Sequence, residues 1–263
     1  MPRPIVTLTT DFGLEDHFTG VMKGVILSIA PNAEIVDITH QIKPYEITEG
    51  AFVMGQHYKW FPKKTIHVAV VDPGVGSLRR PILVEGGGYN FVGPDNGIFS
   101  MVMASETCRV REITNSRYFR KPVSQTFHGR DVFAPVAAHL AKGLLPSKLG
   151  KRVNDALRLS LNEVQRTGKR SWGGAILRID RFGNIITNFH HGQFPGLGLE
   201  HPFELGVGFE KVSQYVTSYS QAADGVPFVI FGSSGFLEVG LNQDNAAKKL
   251  GVGVGAPVEL TLW

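Results

Sequence analysis

Residues 65–80, "TIHVAVVDPGVGSLRR", indicate the fold class of the chain. The run 65–72 is apolar on both faces, which is typical of a strand that is covered on both sides. Such a strand belongs to a sheet with helices on its two faces. Asp72 ends the run, and a loop of glycines and a proline follows before Arg79. In sheets of this class ligands bind beyond the carboxyl ends of the strands, so Asp72 is a candidate site residue.

Strands and helices alternate through the N-terminal part of the chain. Short β-branched runs predict two further strands, at 5–9 and 34–38. Apolar residues at spacings of three and four predict helices from residue 15 to Pro31, at 46–61 and at 131–145. We therefore expect an α/β N-terminal domain over residues 1–165, with a mostly parallel sheet flanked by helices.

The helical pattern largely disappears in the C-terminal part. Residues 146–172 are polar and basic and are typical of a connector. Short strand-like runs separated by glycines follow, and they predict a small all-β barrel over residues 172–263. One short helix is predicted in "NQDNAAKKLG" (242–251), which ends at Gly251.

The composition is that of an ordinary globular protein, with 43% hydrophobic and 19% charged residues. The net charge of +4 is spread along the chain without a long basic run, which argues against a nucleic-acid partner. The one cysteine, Cys108, excludes an intrachain disulfide and reads as a buried thiol in a strand. No signal-peptide core and no run of about 18 apolar residues is present, so we expect a cytoplasmic protein without a membrane partner.

Several common catalytic patterns are missing from the sequence. The nine histidines are scattered and show no HExxH spacing, so we expect no metal. The stretch "GSSGF" (232–236) does not match the G-x-S-x-G motif of serine hydrolases. The glycine-rich "GVGVGAP" opens into a strand rather than a helix, so it is not a dinucleotide-binding loop.

Three polar clusters follow predicted strands, at 9–13, at Asp72 and at 92–100, "VGPDNGIFS". A carboxylate at such an edge is able to hold both hydroxyls of a ribose. For Asp11 in the first cluster, capping of the following helix is an equally good explanation.

Two further stretches contain polar residues in loops. In "SQTFHGRDVFAP" (124–135), Asp131 reads as the N-cap of the next helix, whereas His128 lies in a glycine-bounded loop. A lone histidine is usually structural, and a catalytic role requires His128 to meet Asp72 and Arg79 in space. In "RIDRFGNIITNF" (178–189), Arg181, Asn184 and Asn188 surround a hairpin corner, and asparagine amides suit the edge of a purine. A plain turn is the alternative explanation, because Gly-Asn favours turns.

Six stretches, taken in order, resemble the S-adenosylmethionine (SAM) hydrolase family. The family is also called the SAM hydroxide adenosyltransferases and is related to the fluorinases and chlorinases. The stretches are "TLTTDFGLEDHFTGVMKGV", "VVDPGVGSLRR", "VGPDNG", "FHGRDVFAP", "IDRFGNIITN" and "GSSGFLEVGLNQDNAAKKLG". Each is a weak signal alone, whereas six in order over essentially the whole chain make a specific resemblance.

This resemblance implies an architecture and a reaction. The fold would be an N-terminal α/β domain followed by a C-terminal β-barrel. The protein would be a homotrimer, with each active site between the N-terminal domain of one subunit and the C-terminal domain of its neighbour. The substrate would be SAM, hydrolysed to adenosine and methionine without a cofactor. The family's activity also implies clearance of the (R)-sulfonium diastereomer.

The resemblance also assigns roles to individual residues. Asp72, Arg79 and His128 look like the catalytic set that the hydrolases have and the halogenases lack. Asp11 resembles the aspartate that grips the ribose hydroxyls, and Asp72 is expected to bind substrate as well. The substrate-binding residues implied in the C-terminal domain are Asp180 for the methionine ammonium, Asn184 for adenine, and Ser233, Ser234 and Glu238.

The sequence leaves three choices open. Arg79 stays protonated, so either Asp72 or His128 would accept the proton of the attacking water. A chloride-dependent halogenase is an alternative enzyme, although the chain has no room for the extra fluorinase loop between "GPDNG" and "FHGRD". A non-catalytic sensor of SAM or adenosine is the alternative from another functional class.

Overall fold

The computed structural model describes residues 3–161, 163–198 and 202–263. It divides the chain into two compact units, Met1–Leu159 and Ser160–Trp263. No helix in the described part of the chain has the length and apolarity needed to cross a membrane.

The first unit is built on a seven-stranded sheet. Its strands are β1 (Ile5–Thr10), β2 (Glu34–Thr39), β3 (Ile66–Val70), β4 (Pro81–Gly86), β5 (Tyr89–Pro94), β6 (Cys108–Glu112) and β7 (Arg152–Val153). They lie in the order β2-β1-β3-β5-β4-β6-β7. Its helices are α1 (Phe18–Ile29), α2 (Ile47–His57), α3 (Ser100–Ser105) and α4 (Ala134–Ala141).

Both faces of β3 are buried, as its apolar sequence predicts. Val68 and Val70 face a core that contains residues of α1 and α4. Ala69 and the following Val71 face a second core that contains residues of α2 and α3. The helices therefore cover the two faces of the sheet, and the loop that carries Asp72 emerges from between the two layers.

The prediction of a mostly parallel sheet is wrong. The pairs of β1 with β2, β1 with β3 and β3 with β5 are parallel, whereas β4 pairs antiparallel with both β5 and β6, and β6 with β7. The connection between β4 and β5 consists of Gly87 and Gly88, both with positive φ. A two-residue turn of this kind joins antiparallel strands only, because a parallel pair needs a crossover of a dozen or more residues.

The helix predicted at 131–145 has a different start. A π-helical turn, Gly129–Phe133, precedes α4, with Pro135 in the first turn of α4. Asp131 lies inside the π-helical turn, so its interpretation as an N-cap is wrong. Its carboxylate instead binds neighbouring arginines and a loop amide. Helix α1 begins at Phe18 and ends at Ile29, just before Pro31 as predicted.

In its described residues the second unit is built from strands, with one short α-helix, as predicted, and two 3₁₀ turns. Its elements are β8 (Gln165–Arg166), β9 (Ser171–Ile179), β10 (Ile185–His190), β11 (Phe203–Val207), β12 (Glu210–Val212), β13 (Phe228–Phe231), β14 (Phe236–Gly240), α5 (Ala246–Leu250) and β15 (Pro257–Leu262). Helix α5 ends at Gly251, which has a φ of 64° as expected for a left-handed C-terminal residue.

The long strand β9 belongs to both halves of this β unit. Its first residues pair with β15 and its last residues pair with β10. The two halves enclose one shared core, so the unit approaches a barrel. Among the described residues the edge strands β12 and β13 do not pair with each other, and the sheet is therefore open rather than a closed barrel.

A buried histidine on β3 makes the stability of the first unit dependent on pH. The His67 ring is fully buried, stacks on Phe91 at 5.1 Å, and its Nδ1 lies 2.8 Å from Thr7 Oγ1. Burial lowers the pKa of His67 to about 3. The unfolded chain takes up this proton near pH 6.5, before the folded protein does, so stability is lost as the pH falls below about 6.5.

We predict that His67→Phe flattens this dependence. Unfolding free energies from urea titrations should fall less steeply in the variant between pH 6 and 4, by about 1.4 kcal/mol per pH unit. The variant should also be less stable at pH 7, because Thr7 loses its partner. Parallel curves for the two proteins would show that His67 is not the responsible group.

Candidate active site

The loop after β3 folds back so that Asp72 and Arg79 form an ion pair. Arg79 Nε donates to Asp72 Oδ1 at 2.9 Å, and Arg79 Nη2 donates to Asp72 Oδ2. Only 3% of the Asp72 side chain and 9% of the Arg79 side chain are exposed. Gly76 in this loop has a φ of 76°, and a Cβ there would lie 2.3 Å from the carbonyl oxygen of Gln125. The glycine-rich sequence thus allows the loop to pack closely against residues 124–128.

His128 joins the ion pair through its Nδ1, which lies 2.7 Å from Arg79 Nη2. A guanidinium only donates hydrogen bonds, so Nδ1 is the acceptor and the proton of the neutral ring is on Nε2. Burial, followed by the charge of Arg79, lowers the pKa of His128 from its ordinary value. His128 is therefore neutral at pH 7 and presents an N–H donor at Nε2.

One nitrogen of the Arg79 guanidinium makes no hydrogen bond to the described part of the chain. This nitrogen, Nη1, is buried and has no hydrogen-bond partner among the described residues. A buried donor without a partner is costly, and in a functional site it commonly binds a ligand or a water. The three-residue cluster therefore contains two available donor nitrogens, Arg79 Nη1 and His128 Nε2, beside one carboxylate.

Asp11 and Asp72 line the same cavity, of about 420 Å³. Its other lining residues are Phe12, Phe18, Pro44, Tyr45, Thr126 and Phe127. The backbone N–H of Tyr45 donates to Asp11 Oδ2 at 3.0 Å. Burial raises the pKa of Asp11, and the charge of Asp72 adds to this effect.

Helix α1 begins after His17 without a side-chain cap, so the interpretation of Asp11 as its cap is wrong.

The third polar cluster of the sequence supports the fold. Asp95 accepts hydrogen bonds from Arg80 Nε at 2.9 Å and from the backbone N–H of Leu157 at 2.9 Å. Asn96 donates its amide to the carbonyl of Val71 at 2.8 Å. These polar groups are satisfied within the unit and do not line the cavity that contains Asp11 and Asp72.

In the second unit, Asp180 and Asn184 lie together at the turn between β9 and β10. Asp180 Oδ1 accepts from the backbone N–H groups of Phe182 and Asn184, each at 2.9 Å, and Asp180 Oδ2 accepts from Asn184 Nδ2 at 2.9 Å. Both side chains line a cavity of about 690 Å³. The other lining residues are Phe182, Tyr219 and residues 241–245. The turn and the cavity wall are thus made by the same residues.

Glu238 does not line this cavity itself but binds Tyr219, which does. It is buried in β14, and Tyr219 Oη donates to its Oε2 at 3.1 Å. Burial is the main cause of a raised pKa for Glu238 and of a pKa of about 12 for Tyr219, and the charge of Asp180 contributes to both. Ser234 Oγ lies 3.5 Å from Glu238 Oε1, whereas Ser233 is exposed. Neither serine nor Glu238 lines the cavity itself.

Some lining residues had no signal in the sequence. Tyr219, which lines the cavity of the second unit, lies in a stretch without a motif. Tyr45 and Thr126 line the cavity of the first unit because their loops fold next to it, and the sequence does not predict that folding. In the described part of the chain, no group of three or more histidine, cysteine, aspartate or glutamate side chains is arranged to hold a metal ion.

Comparisons with known proteins cover both units. The model of the SAM hydroxide adenosyltransferase N-terminal domain matches residues 6–150, and that of the C-terminal domain matches residues 174–259. An (R)-S-adenosyl-L-methionine hydrolase of Thermus thermophilus is 35% identical, over 98% of this chain and 99% of its own length. The protein of the same name from Methanocaldococcus jannaschii is 39% identical, over 94% and 92%.

More distant sequences and one solved structure complete the comparison. A fluorinase of Nocardia brasiliensis is 24% identical over 98% of this chain and 97% of its own length. The crystal structure of an uncharacterized conserved protein from Thermotoga maritima superposes with a TM-score of 0.90 and 35% identity. The superposition covers 98% of the present chain and 99% of the Thermotoga maritima chain.

Proposed function

Because the chain belongs to the SAM hydroxide adenosyltransferase family, we propose that it hydrolyses S-adenosyl-L-methionine to adenosine and L-methionine. The observation that supports this most directly is the contact of Asp72, Arg79 and His128 beside a cavity that Asp11 also lines. A metal or an organic cofactor is not required, since the sulfonium group is itself the activated electrophile. We propose a cytoplasmic enzyme.

The reaction needs help at the nucleophile and little at the leaving group. The oxygen of water forms a bond to C5′, and the C5′–S bond breaks with its electron pair moving to sulfur. Methionine therefore leaves with a neutral thioether that requires no proton. The attacking water loses one proton, and its pKa near 15.7 makes that loss difficult without a partner.

The three-residue cluster offers the groups that this step requires. Arg79 Nη1 and His128 Nε2–H are donors that would hold the water and stabilise hydroxide character on its oxygen. Because Nδ1 of His128 already accepts from Arg79, the imidazole is poorly placed to act as the base. We therefore propose Asp72 as the proton acceptor and His128 as a donor that orients the water.

The remaining polar residues suit the other parts of the substrate. Asp11, within the cavity that contains Asp72, would take the ribose hydroxyls, for which a carboxylate offers two acceptor oxygens. In the second unit Asn184 would read adenine, and Asp180 would attract the methionine ammonium. Ser233, Ser234 and Glu238 would complete this half of the site, with Tyr219 fixing the position of Glu238.

We also propose a homotrimer in which each active site combines the first unit of one subunit with the second unit of its neighbour. Each of the two cavities contains only part of the polar set that the substrate needs, so the proposed site requires residues of both units. The names of the relatives further support a preference for the (R)-sulfonium diastereomer.

Isotope labelling tests the reaction. Incubation with (R)- or (S)-SAM in ¹⁸O-labelled water should give methionine and adenosine with the label in the 5′-hydroxyl, faster for the (R) form. Chromatography with mass spectrometry measures both products. Formation of 5′-chloro-5′-deoxyadenosine in chloride buffer would indicate a halogenase instead. Binding of SAM without release of methionine would indicate a sensor and refute hydrolysis.

Substitutions test the catalytic cluster. Asp72→Ala, Arg79→Ala and His128→Ala should each lower kcat by about 100-fold or more, because each removes a group that acts on the attacking water. Calorimetry should show that SAM still binds. Glu85→Gln is the control, because it breaks another ion pair of the same unit, with Arg111 Nε at 2.9 Å. Unchanged kcat in all three variants would exclude this mechanism.

Mixed trimers test the shared site. Asp72→Ala and Asn184→Ala should each be weakly active alone. Refolded together, they should recover about one quarter of the wild-type activity, because random pairing of subunits in a closed ring gives one intact site in four. A mixture no more active than its components would show that both halves of the site come from one subunit.

A further inference from the structure

Asp131 is a fully buried carboxylate next to the catalytic cluster, and its role is not explained by helix capping. Arg130 donates to it from Nε and Nη2, at 2.7 Å each. The backbone N–H of Ser124 donates to its Oδ2 at 2.8 Å, and Arg120 Nη1 lies 3.4 Å from its Oδ1. Removing the Asp131 carboxylate would leave the Ser124 N–H without its acceptor and the two arginines without their partner, so the local arrangement depends on Asp131.

These contacts close the chain from residue 124 to residue 131 into a ring. The contact with Ser124 joins the first residue of the ring to the π-helical turn that ends it, and the backbone N–H of Arg120 donates to the Asp131 carbonyl at 2.9 Å. The enclosed residues include Thr126 and Phe127, which line the cavity with Asp11, and His128, which contacts Arg79. Arg130 also lies over the Phe127 ring, 5.2 Å from its centroid.

His128 depends on this ring for its position. In the described part of the chain, the side chain of His128 makes one hydrogen bond, with Arg79 Nη2. A single bond does not fix an imidazole, so the backbone of the loop must hold the ring in place. A displacement of about 1 Å in a catalytic group is enough to cost about 100-fold in rate.

We propose that Asp131 is a positioning residue, whose carboxylate closes the 124–131 loop and thereby holds His128 Nδ1 against Arg79. This inference rests on the proposed function for its effect on catalysis, but its structural part stands independently. Asp131 acts through His128 and does not touch the substrate or the reacting atoms.

The test compares Asp131→Ala and Asp131→Asn with the wild type and with Glu85→Gln as the control. Asp131→Ala should lower kcat by about 10- to 100-fold with KM changed less than about threefold, because the reacting groups are displaced while the cavity remains. Asp131→Asn keeps an oxygen for the Ser124 N–H and should lie between Asp131→Ala and the wild type. All rates are taken per folded protein, below the unfolding transition of every variant.

A second readout reports on His128 directly. In ¹⁵N NMR spectra at pH 8, the wild type and Glu85→Gln should show His128 as the single Nε2–H tautomer. Asp131→Ala should show a mixture of tautomers, because His128 Nδ1 no longer accepts the hydrogen bond from Arg79 that favours one of them. If that variant does not fold, Asp131→Asn and Arg120→Gln should show the same change to a smaller degree. An unchanged tautomer in the folded variants, or a kcat of Asp131→Ala within twofold of the wild type, would overturn the inference.

The two proposals fail in different ways. A wild-type protein that does not hydrolyse SAM would refute the proposed function, whereas the tautomer of His128 would still report on Asp131. Lowered kcat with an unchanged tautomer would instead show that Asp131 acts by a route other than His128.

Discussion

Arg79 binds two partners on two different loops, and the arrangement of the first cavity depends on it. Its guanidinium holds Asp72 with two hydrogen bonds and His128 Nδ1 with a third. The side chains of Asp72 and Arg79 are almost completely buried, so loss of either one would leave the other charge buried and unpaired. Because arginine does not give up its proton, it also decides the tautomer of the histidine.

The charges of both units suit a cationic substrate that becomes less charged on reaction. The first cavity contains the carboxylates of Asp11 and Asp72, and the second is lined by Asp180, with Glu238 behind Tyr219. Attack of an oxygen with hydroxide character on a sulfonium disperses charge in the transition state. Fixed donors and carboxylates in a site with little water would therefore favour the reaction more than bulk solvent does. Asp180 would also attract the methionine ammonium, which is the second positive charge of the substrate.

The ends of helices were predictable from the sequence where a single residue, such as a proline or a glycine, determines them. Pro31 marks the end of α1 and Gly251 the end of α5, because proline prevents a helix from continuing and glycine adopts the left-handed conformation. Predictions failed where a polar side chain had more than one possible partner. Asp131 is an acceptable helix cap by sequence, but the π-helical turn directs it to Arg130 and Ser124. The prediction of strand direction failed for a different reason, because direction depends on the length of the connections and not on the strands themselves.

By itself, the sequence determined the apolar strand at 65–72 and the change from α/β to all-β architecture, because both follow from the local hydrophobic pattern. It named Asp72, Arg79 and His128 as candidates for one catalytic set only through the family resemblance of the stretches that contain them. Only the tertiary structure decided that His128 lies within hydrogen-bond distance of Arg79, 49 residues away, and that its Nδ1 accepts. That contact requires two loops to meet, and their meeting depends on Gly76 packing against Gln125 and on the closure of the loop by Asp131. Such long-range packing has no signature in any single stretch of sequence.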